Sequence, residues 1–271
     1  MSLGVRTRDT VAAVAVRVAL GVAMALLGAL LVLPLLALVL RVPLATLAGQ
    51  LGKRVVVQAL VLSLEASLIA TLVVVALGLP AAYLLATRQF PGKKVVEVVL
   101  DLPMVLPPTV GGLALLLAFG RAGLAGGALQ LLGLSIPFTT LAVIVAQAFM
   151  AAPFFIGPVR AGIALVDPRV QEVARTLGAT ESYGFWRVVL PLSLPSIVAG
   201  TAMAGARALG EFGATITFAG NLPGVTQTMP LAVYVELQRD LDTAITLSVL
   251  LLLLSFGLLL ALRAGHPERR R

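Results

Sequence analysis

The polarity of the chain changes in long blocks rather than residue by residue. Six apolar runs stand out, at about 18–40, 60–86, 100–119, 139–160, 194–217 and 243–262. Each is near the ~20 residues that carry a helix across a bilayer. Strands of a membrane barrel would alternate apolar and polar residues. These runs are continuous and rich in Leu, Ala and Val, so they predict helices. The segments between them are short, with no linker and no internal repeat. The pattern predicts an all-α integral membrane protein, with a bundle of about six spanning helices in one transmembrane domain over 1–271. The first run follows Arg6, Arg8 and Arg17 and is longer than the ~7–15 apolar residues of a signal peptide, so it is expected to stay as the first span.

Two of the runs carry helix breakers. The third reads DLPMVLPPTVGGLALLLAFG, with Pro103, Pro107, Pro108, Gly111 and Gly112. Proline removes a backbone donor and kinks a helix. Such breaks are tolerated at membrane depth where protein or a water-filled cavity meets the freed carbonyls. The fifth run carries Gly200, Gly205, Gly210 and Gly213. Small residues there let helices approach closely. Tight packing and the lining of a path both account for them.

Composition fits the same picture. The chain is 59% hydrophobic and 12% charged, with a mean hydropathy of +1.06. Soluble domains carry about 25% charged residues, so lipid must replace water around most of this chain. The formal net charge is +8. With the N-terminus inside, fourteen of the twenty Lys and Arg fall in inner segments, five in outer ones, and Arg207 within a span. That bias puts both termini in the cytoplasm. Lys53 and Arg54, in the first outer loop, run against it. No clustered basic face is present, so no nucleic-acid partner is expected. There is no cysteine, and the one histidine, His266, lies in the charged tail. The usual nucleophile–base sets and metal clusters of an intramembrane enzyme cannot be built, and Asp101 has no evident partner for an aspartyl dyad. A gradient-driven transporter remains a second class, but it would want inverted repeats and buried ion-coupling carboxylates.

One segment, 161–190, is polar and lies on the cytoplasmic side by the charge count. Asp167-Pro168 reads as a helix start and Gly178 as its stop. Val170, Val173, Ala174 and Leu177 fall at i, i+3, i+4 and i+7, one apolar stripe, with Arg169, Glu172 and Arg175 off it. A second short helix, capped by Thr180 and carrying Tyr183, Phe185 and Trp186, is expected before Leu190-Pro191 returns the chain to the membrane. A helix of about ten residues is marginal alone in water and must pack on something. A groove on a cytoplasmic partner would serve, as would the membrane surface or its own bundle.

The stretch EVARTLG, Glu172 to Gly178, is followed after nine residues by VVLP, ending at Pro191. It resembles the EAA loop of the membrane subunits of ABC importers, in which Glu-Ala-Ala, three residues, Gly and nine residues precede Ile-x-Leu-Pro. The matching positions are Glu172, Ala174, Gly178, Leu190 and Pro191; Val173 stands for the second Ala and Val188 for Ile. The resemblance implies the type I importer permease fold, with a coupling segment over about 166–191. Asp167, Arg169, Val170, Glu172, Val173, Ala174, Leu177, Gly178, Leu190 and Pro191 would meet the ATPase there. It also implies a second copy of the chain, two ATP-binding subunits holding ATP and Mg, an extracytoplasmic binding protein, and a place in the inner membrane. The chain itself is expected to hold no cofactor and no metal. A P-loop needs Gly-Lys followed by Ser or Thr; Gly52-Lys53 and Gly92-Lys93 are followed by Arg54 and Lys94, so ATP must be bound elsewhere.

Residues 207–238 and 101–126 resemble permeases of the molybdate, tungstate and sulfate group, most like molybdate. Within them Arg207 and Glu211 stand at i, i+4 in a span, where charge is costly. They are expected to neutralise each other and fix packing, or Arg207 attracts a dianion along a path whose candidates include Gly210, Gly213, Thr215 and Thr217. Glu65, between Ser63 and Ser67, and Asp101 are expected to reach the membrane interfaces. The turn 219–230 is expected to lie on the outer side.

Overall fold

A computed structural model describes residues 3–41, 44–167, 169–170, 176, 178 and 180–264. It divides into two compact units, Met1–Gly49 and Gln50–Arg271. The first is dominated by α1 (Leu3–Arg41), followed by α2 (Leu44–Leu51), which runs into the second unit. From Val16 to Arg41, α1 has a mean hydropathy of 2.8 and none of that stretch is buried. Apolar on every side, it is a helix made for lipid or for another membrane helix.

The second unit holds α3 (Arg54–Thr87), α4 (Lys93–Val105), α5 (Pro108–Phe119), α6 (Gly126–Leu131), α7 (Thr140–Ala164), α8 (Glu181–Leu209), α9 (Gly213–Phe218), α10 (Met229–Glu236) and α11 (Leu241–Ala264). Among the described residues, five helices are long and apolar enough to cross a membrane, or six if α4 and α5 count as one broken span. α7 is the central post. Thr139 caps its start, accepting from the Ala142 amide at 3.3 Å. Its flanks are covered by α3 and α8, so Phe155 and Val159 are fully buried beside Ala70, Val74, Ile197 and Ala204. Small residues set this spacing. A methyl on Gly200 of α8 would lie 3.0 Å from Val159 Cγ2 and 3.1 Å from the Phe155 carbonyl. Without a strong hydrophobic drive between helices in lipid, such close contact supplies much of the cohesion.

Two expected spans are corrected. The run at about 100–119 is not one helix: α4 begins at Lys93, and the chain bends by 119° between α4 and α5. Leu106 and Pro107 are extended, as residues preceding proline prefer. Pro108 then opens α5, where its missing N–H costs nothing. The run at about 194–217 is also broken. α8 stops at Leu209, Gly210 caps it, and α9 starts at Gly213.

Side-chain bonds show which ends lie together. Arg88, just past α3, pairs with Glu181 at the start of α8 (2.9 Å). Arg160 of α7 pairs with Glu97 of α4 (3.1 Å). At the opposite end Ser63 of α3 accepts from the Met229 amide (2.7 Å), and Thr140 donates to the Val225 carbonyl (2.9 Å). The described residues at the α7–α8 junction and the turn 219–230 therefore sit at opposite ends of the bundle.

Candidate functional site

Among the described residues between α7 and α8, local caps are the bonds that set the chain's path. Asp167 Oδ1 accepts from the Arg169 amide (2.9 Å), and the Asp167 carbonyl accepts from Val170 N (3.1 Å). That is the N-cap arrangement the sequence predicts. Arg169 and Val170 are helical and exposed. Gly178 has φ +85°, the left-handed value that ends helices and favours glycine. Glu172, Val173, Ala174 and Leu177 lie outside the described residues, so the apolar stripe has only Val170 on view. Leu165, Val170, Tyr183 and Trp186 are all large, apolar and exposed, from 43% to 86%.

The second short helix is a correction. Thr180 does cap it, accepting from Tyr183 N at 3.2 Å, but it does not stop before Leu190. It continues through a five-residue π-turn, Phe185–Val189, into the long part of α8. Leu190 N reaches back five residues to the Phe185 carbonyl. The looser turn shifts the carbonyl register just where Pro191, with no N–H, could not have continued an ideal ladder. Leu190 and Pro191 therefore do not break the chain; they carry it straight into the bundle.

The second constellation lies where two broken helices meet. A methyl on Gly112 of α5 would lie 2.6 Å from the Ala214 carbonyl, and one on Gly213 would lie 2.8 Å from Pro108 Cβ. The start of α5 and the start of α9 are thus in backbone contact. Glu211 sits in the break and is fully buried. Its Oε1 accepts from Ala214 N (2.7 Å), capping α9, and its Oε2 pairs with Arg207 at 2.6 Å. The expectation that Arg207 and Glu211 share one helix fails, because Gly210 ends α8 between them; the pair forms across the break. Arg207 is 22% exposed and its guanidinium lies 5.9 Å from the centre of the Phe154 ring. Gly210 is exposed, Gly213 and Thr215 are buried, and Thr217 is half-buried, its hydroxyl donating to the Gly213 carbonyl (2.9 Å). Arg207, Gly210 and Thr217 therefore reach the surface of the unit, while Thr215 does not. Phe212, which the sequence did not single out, lines an apolar groove of about 480 Å³ with Tyr234, Leu251 and Ser255.

At the opposite end of α3 from Arg88, Asp240 is held by Lys53 Nζ (2.7 Å) and by the Thr243 hydroxyl (2.6 Å). The Lys53 ammonium and then the Thr243 donors hold its carboxyl well below the usual carboxylate range. Lys53, the charge that ran against the inside bias, is thereby neutralised locally. Glu65 is exposed on α3 and Asp101 is half-buried within α4.

The described residues form an all-helical membrane bundle with two broken helices meeting inside it. The family described as Binding-protein-dependent transport system inner membrane component matches residues 75–271, and the chain belongs to that family. It is 43% identical over 209 residues to the Molybdenum transport system permease protein ModB of Mycobacterium tuberculosis, covering 77% of this chain and 79% of that one. It is 43% identical over 182 residues to the protein of the same description in Escherichia coli K12, covering 67% and 80%. Among solved structures, a bacterial ABC transporter for import of the acidic polysaccharide alginate has a TM-score of 0.76 at 15% identity, covering 96% of this chain and 98% of that one. The MetNI methionine ABC transporter matches with a TM-score of 0.57 at 19% identity, covering 79% and 95%. At such identities the likeness is one of fold.

Proposed function

We propose that this chain is the membrane-spanning subunit of an ATP-driven importer that carries molybdate across the inner membrane. The observation that carries this reading is the likeness to molybdenum permeases, which at 43% identity runs through most of the second unit. A probable sulfate permease is also similar, but at 33%, which favours molybdate over sulfate; tungstate shares molybdate's charge and shape. Two copies pair, both termini face the cytoplasm, and two ATPase subunits grip the feet at 167–180. ATP and Mg belong to those subunits, and an extracytoplasmic protein delivers the anion.

The chain's own contribution is mechanical. When the ATPases close, the capped foot moves as a short rigid lever, and α8 carries that movement toward the break at Gly210–Phe212. There α9 bears directly on α5 through Gly112 and Gly213, so both broken helices shift together. Glu211 keeps the two pieces in register. Arg207, half-compensated and reaching the surface, offers a dianion weak attraction without a trap; conduction needs contacts weak enough to release. The test is to reconstitute the complex with its binding protein and measure which oxyanion stimulates ATP hydrolysis. Molybdate should do so best. Stimulation by sulfate alone would reassign the cargo, and stimulation by none would remove the reading.

A further inference from the structure

We propose that α3 is a connecting rod between the coupling foot and the outer turn, with Tyr83, Arg88 and Ser63 as its positioning residues. The proposal rests on the coupling reading above and adds a second line of transmission to it. Three features carry it.

First, α3 is one helix of 34 residues, about 50 Å long at 1.5 Å per residue. The hydrocarbon layer is about 30 Å, so α3 projects past it.

Second, its inner end is lashed to the exit of the foot. The Tyr83 and Phe185 rings meet edge to face at 4.8 Å, and Phe185 stacks on toward Trp186 at 5.1 Å. Arg88 holds both carboxylate oxygens of Glu181, at 3.0 and 2.9 Å. Glu181 and Phe185 are one α-turn apart and face α3 together. The buried stripe of α8 begins at Val189 and continues through Ser193 and Ile197. The π-turn between them absorbs an extra residue, each of which would otherwise rotate the helix by about 100°. That turn keeps the foot's two α3 contacts in phase with the part of α8 inside the bundle.

Third, the outer end of α3 is tied to the turn that faces the other side. Ser63 is fully buried and accepts from Met229 N, the first residue of α10. Gly224, at φ +75°, backs onto the Gln58 side chain, where a methyl would meet Nε2 at 3.3 Å. α3 runs unbroken from Ser63 to Tyr83, with Pro80 its one interior proline beside the Tyr83 end, so a displacement arriving at Phe185 reaches the outer turn along one continuous helix that can bend only near the foot. The reverse holds for a partner pressing on that turn, since coupling between two sites is reciprocal.

The exposed Arg88–Glu181 pair adds little to stability, which separates its two possible roles. The test uses the complete complex with its ATPase and binding protein in proteoliposomes. The readout is stimulation of ATP hydrolysis by binding protein loaded with molybdate, relative to unloaded binding protein. Tyr83→Leu, Arg88→Glu and Ser63→Ala are each expected to lower that stimulation by about fivefold or more. Basal hydrolysis and thermal stability of the Arg88→Glu complex should stay near the parent's. Arg88→Glu combined with Glu181→Arg should restore stimulation. Full stimulation in all three single variants overturns the rod while leaving the transporter reading intact. A swapped pair that fails to rescue overturns the Arg88 contact, including where Arg88→Glu alone does not assemble. A parent complex that no oxyanion stimulates removes the transporter reading itself.

Discussion

Gly112→Ala adds one methyl where α5 meets α9. The new carbon would sit 2.6 Å from the Ala214 carbonyl oxygen, 2.8 Å from Ala214 Cα and 2.8 Å from Thr217 Cβ. Two of these are backbone atoms, so no rotamer change relieves them. α9 is held where it is by Glu211 capping Ala214, and Gly213 packs against Pro108 of the same α5, so the whole seam is already close. The helices must therefore separate. Overpacking of this kind costs about 1–3 kcal/mol, and the better helix propensity of Ala offsets about 1 kcal/mol of that. A net loss of up to about 2 kcal/mol lowers Tm by about 2–4 °C per kcal/mol in a chain of this size. Two other glycines serve as controls. At Gly111 a methyl meets only side chains, Met150 Sδ at 3.1 Å and the Phe149 ring at 3.3 Å, which can shift by a few tenths of an ångström, so Gly111→Ala should cost less than Gly112→Ala. At Gly157 of α7 nothing lies within 4 Å, so Gly157→Ala should be neutral or raise Tm. Thermal unfolding of the three variants in detergent checks the order, and transport should fall only with Gly112→Ala. A Gly112→Ala chain as stable as Gly157→Ala would refute the close contact of the two broken helices.

Three further outcomes follow from the same geometry. Arg207→Gln leaves the fully buried Glu211 unpaired and should cost about 3–5 kcal/mol; Glu211→Gln, which leaves a partly exposed guanidinium over Phe154, should cost less, and the double variant should recover part of the loss in thermal unfolding. Transport that survives Arg207→Gln in proportion to folded protein would assign the pair to packing alone. Ser63→Ala orphans the Met229 amide and should lower stability by about 1–3 kcal/mol, read as a lower Tm. The folded pKa of Asp240 is depressed, so its pairing with Lys53 stabilises above the ordinary carboxylate pKa of about 3.9 and is lost as pH falls below it; Lys53→Met should be less stable than the parent at pH 7, with the gap closing in acid denaturation scans below about pH 4.

Much of this bundle was legible in the sequence because the solvent is lipid. A run of apolar residues long enough to span has few alternatives to a helix, and the charge bias placed the foot and the outer turn at opposite ends. The caps were legible too. Asp167, Gly178 and Thr180 each act through one local bond or one backbone angle, which neighbouring residues determine. The breaks were harder to read. Pro107-Pro108 announces a kink, but not that the chain turns by 119°. That angle depends on Gly112 and Gly213 finding each other across about a hundred residues of chain. The π-turn was not legible either: Phe185–Val189 has ordinary helix-compatible side chains, and the looser register sits where Phe185 packs on Tyr83 of another helix and just before Pro191. Glu211 was read as one half of an intrahelical pair, whereas its Oε1 also caps a helix whose existence depends on the break.

The most direct test of the coupling reading uses the absence of cysteine from the chain. Val170, exposed on the foot, is replaced by cysteine and probed with a membrane-impermeant maleimide, in intact cells and in inside-out vesicles with and without the ATPase subunit. The expected result is no labelling in cells, labelling in bare vesicles, and protection once the ATPase is bound. Labelling of Val170→Cys from outside intact cells, or equal labelling with and without the ATPase, would contradict it.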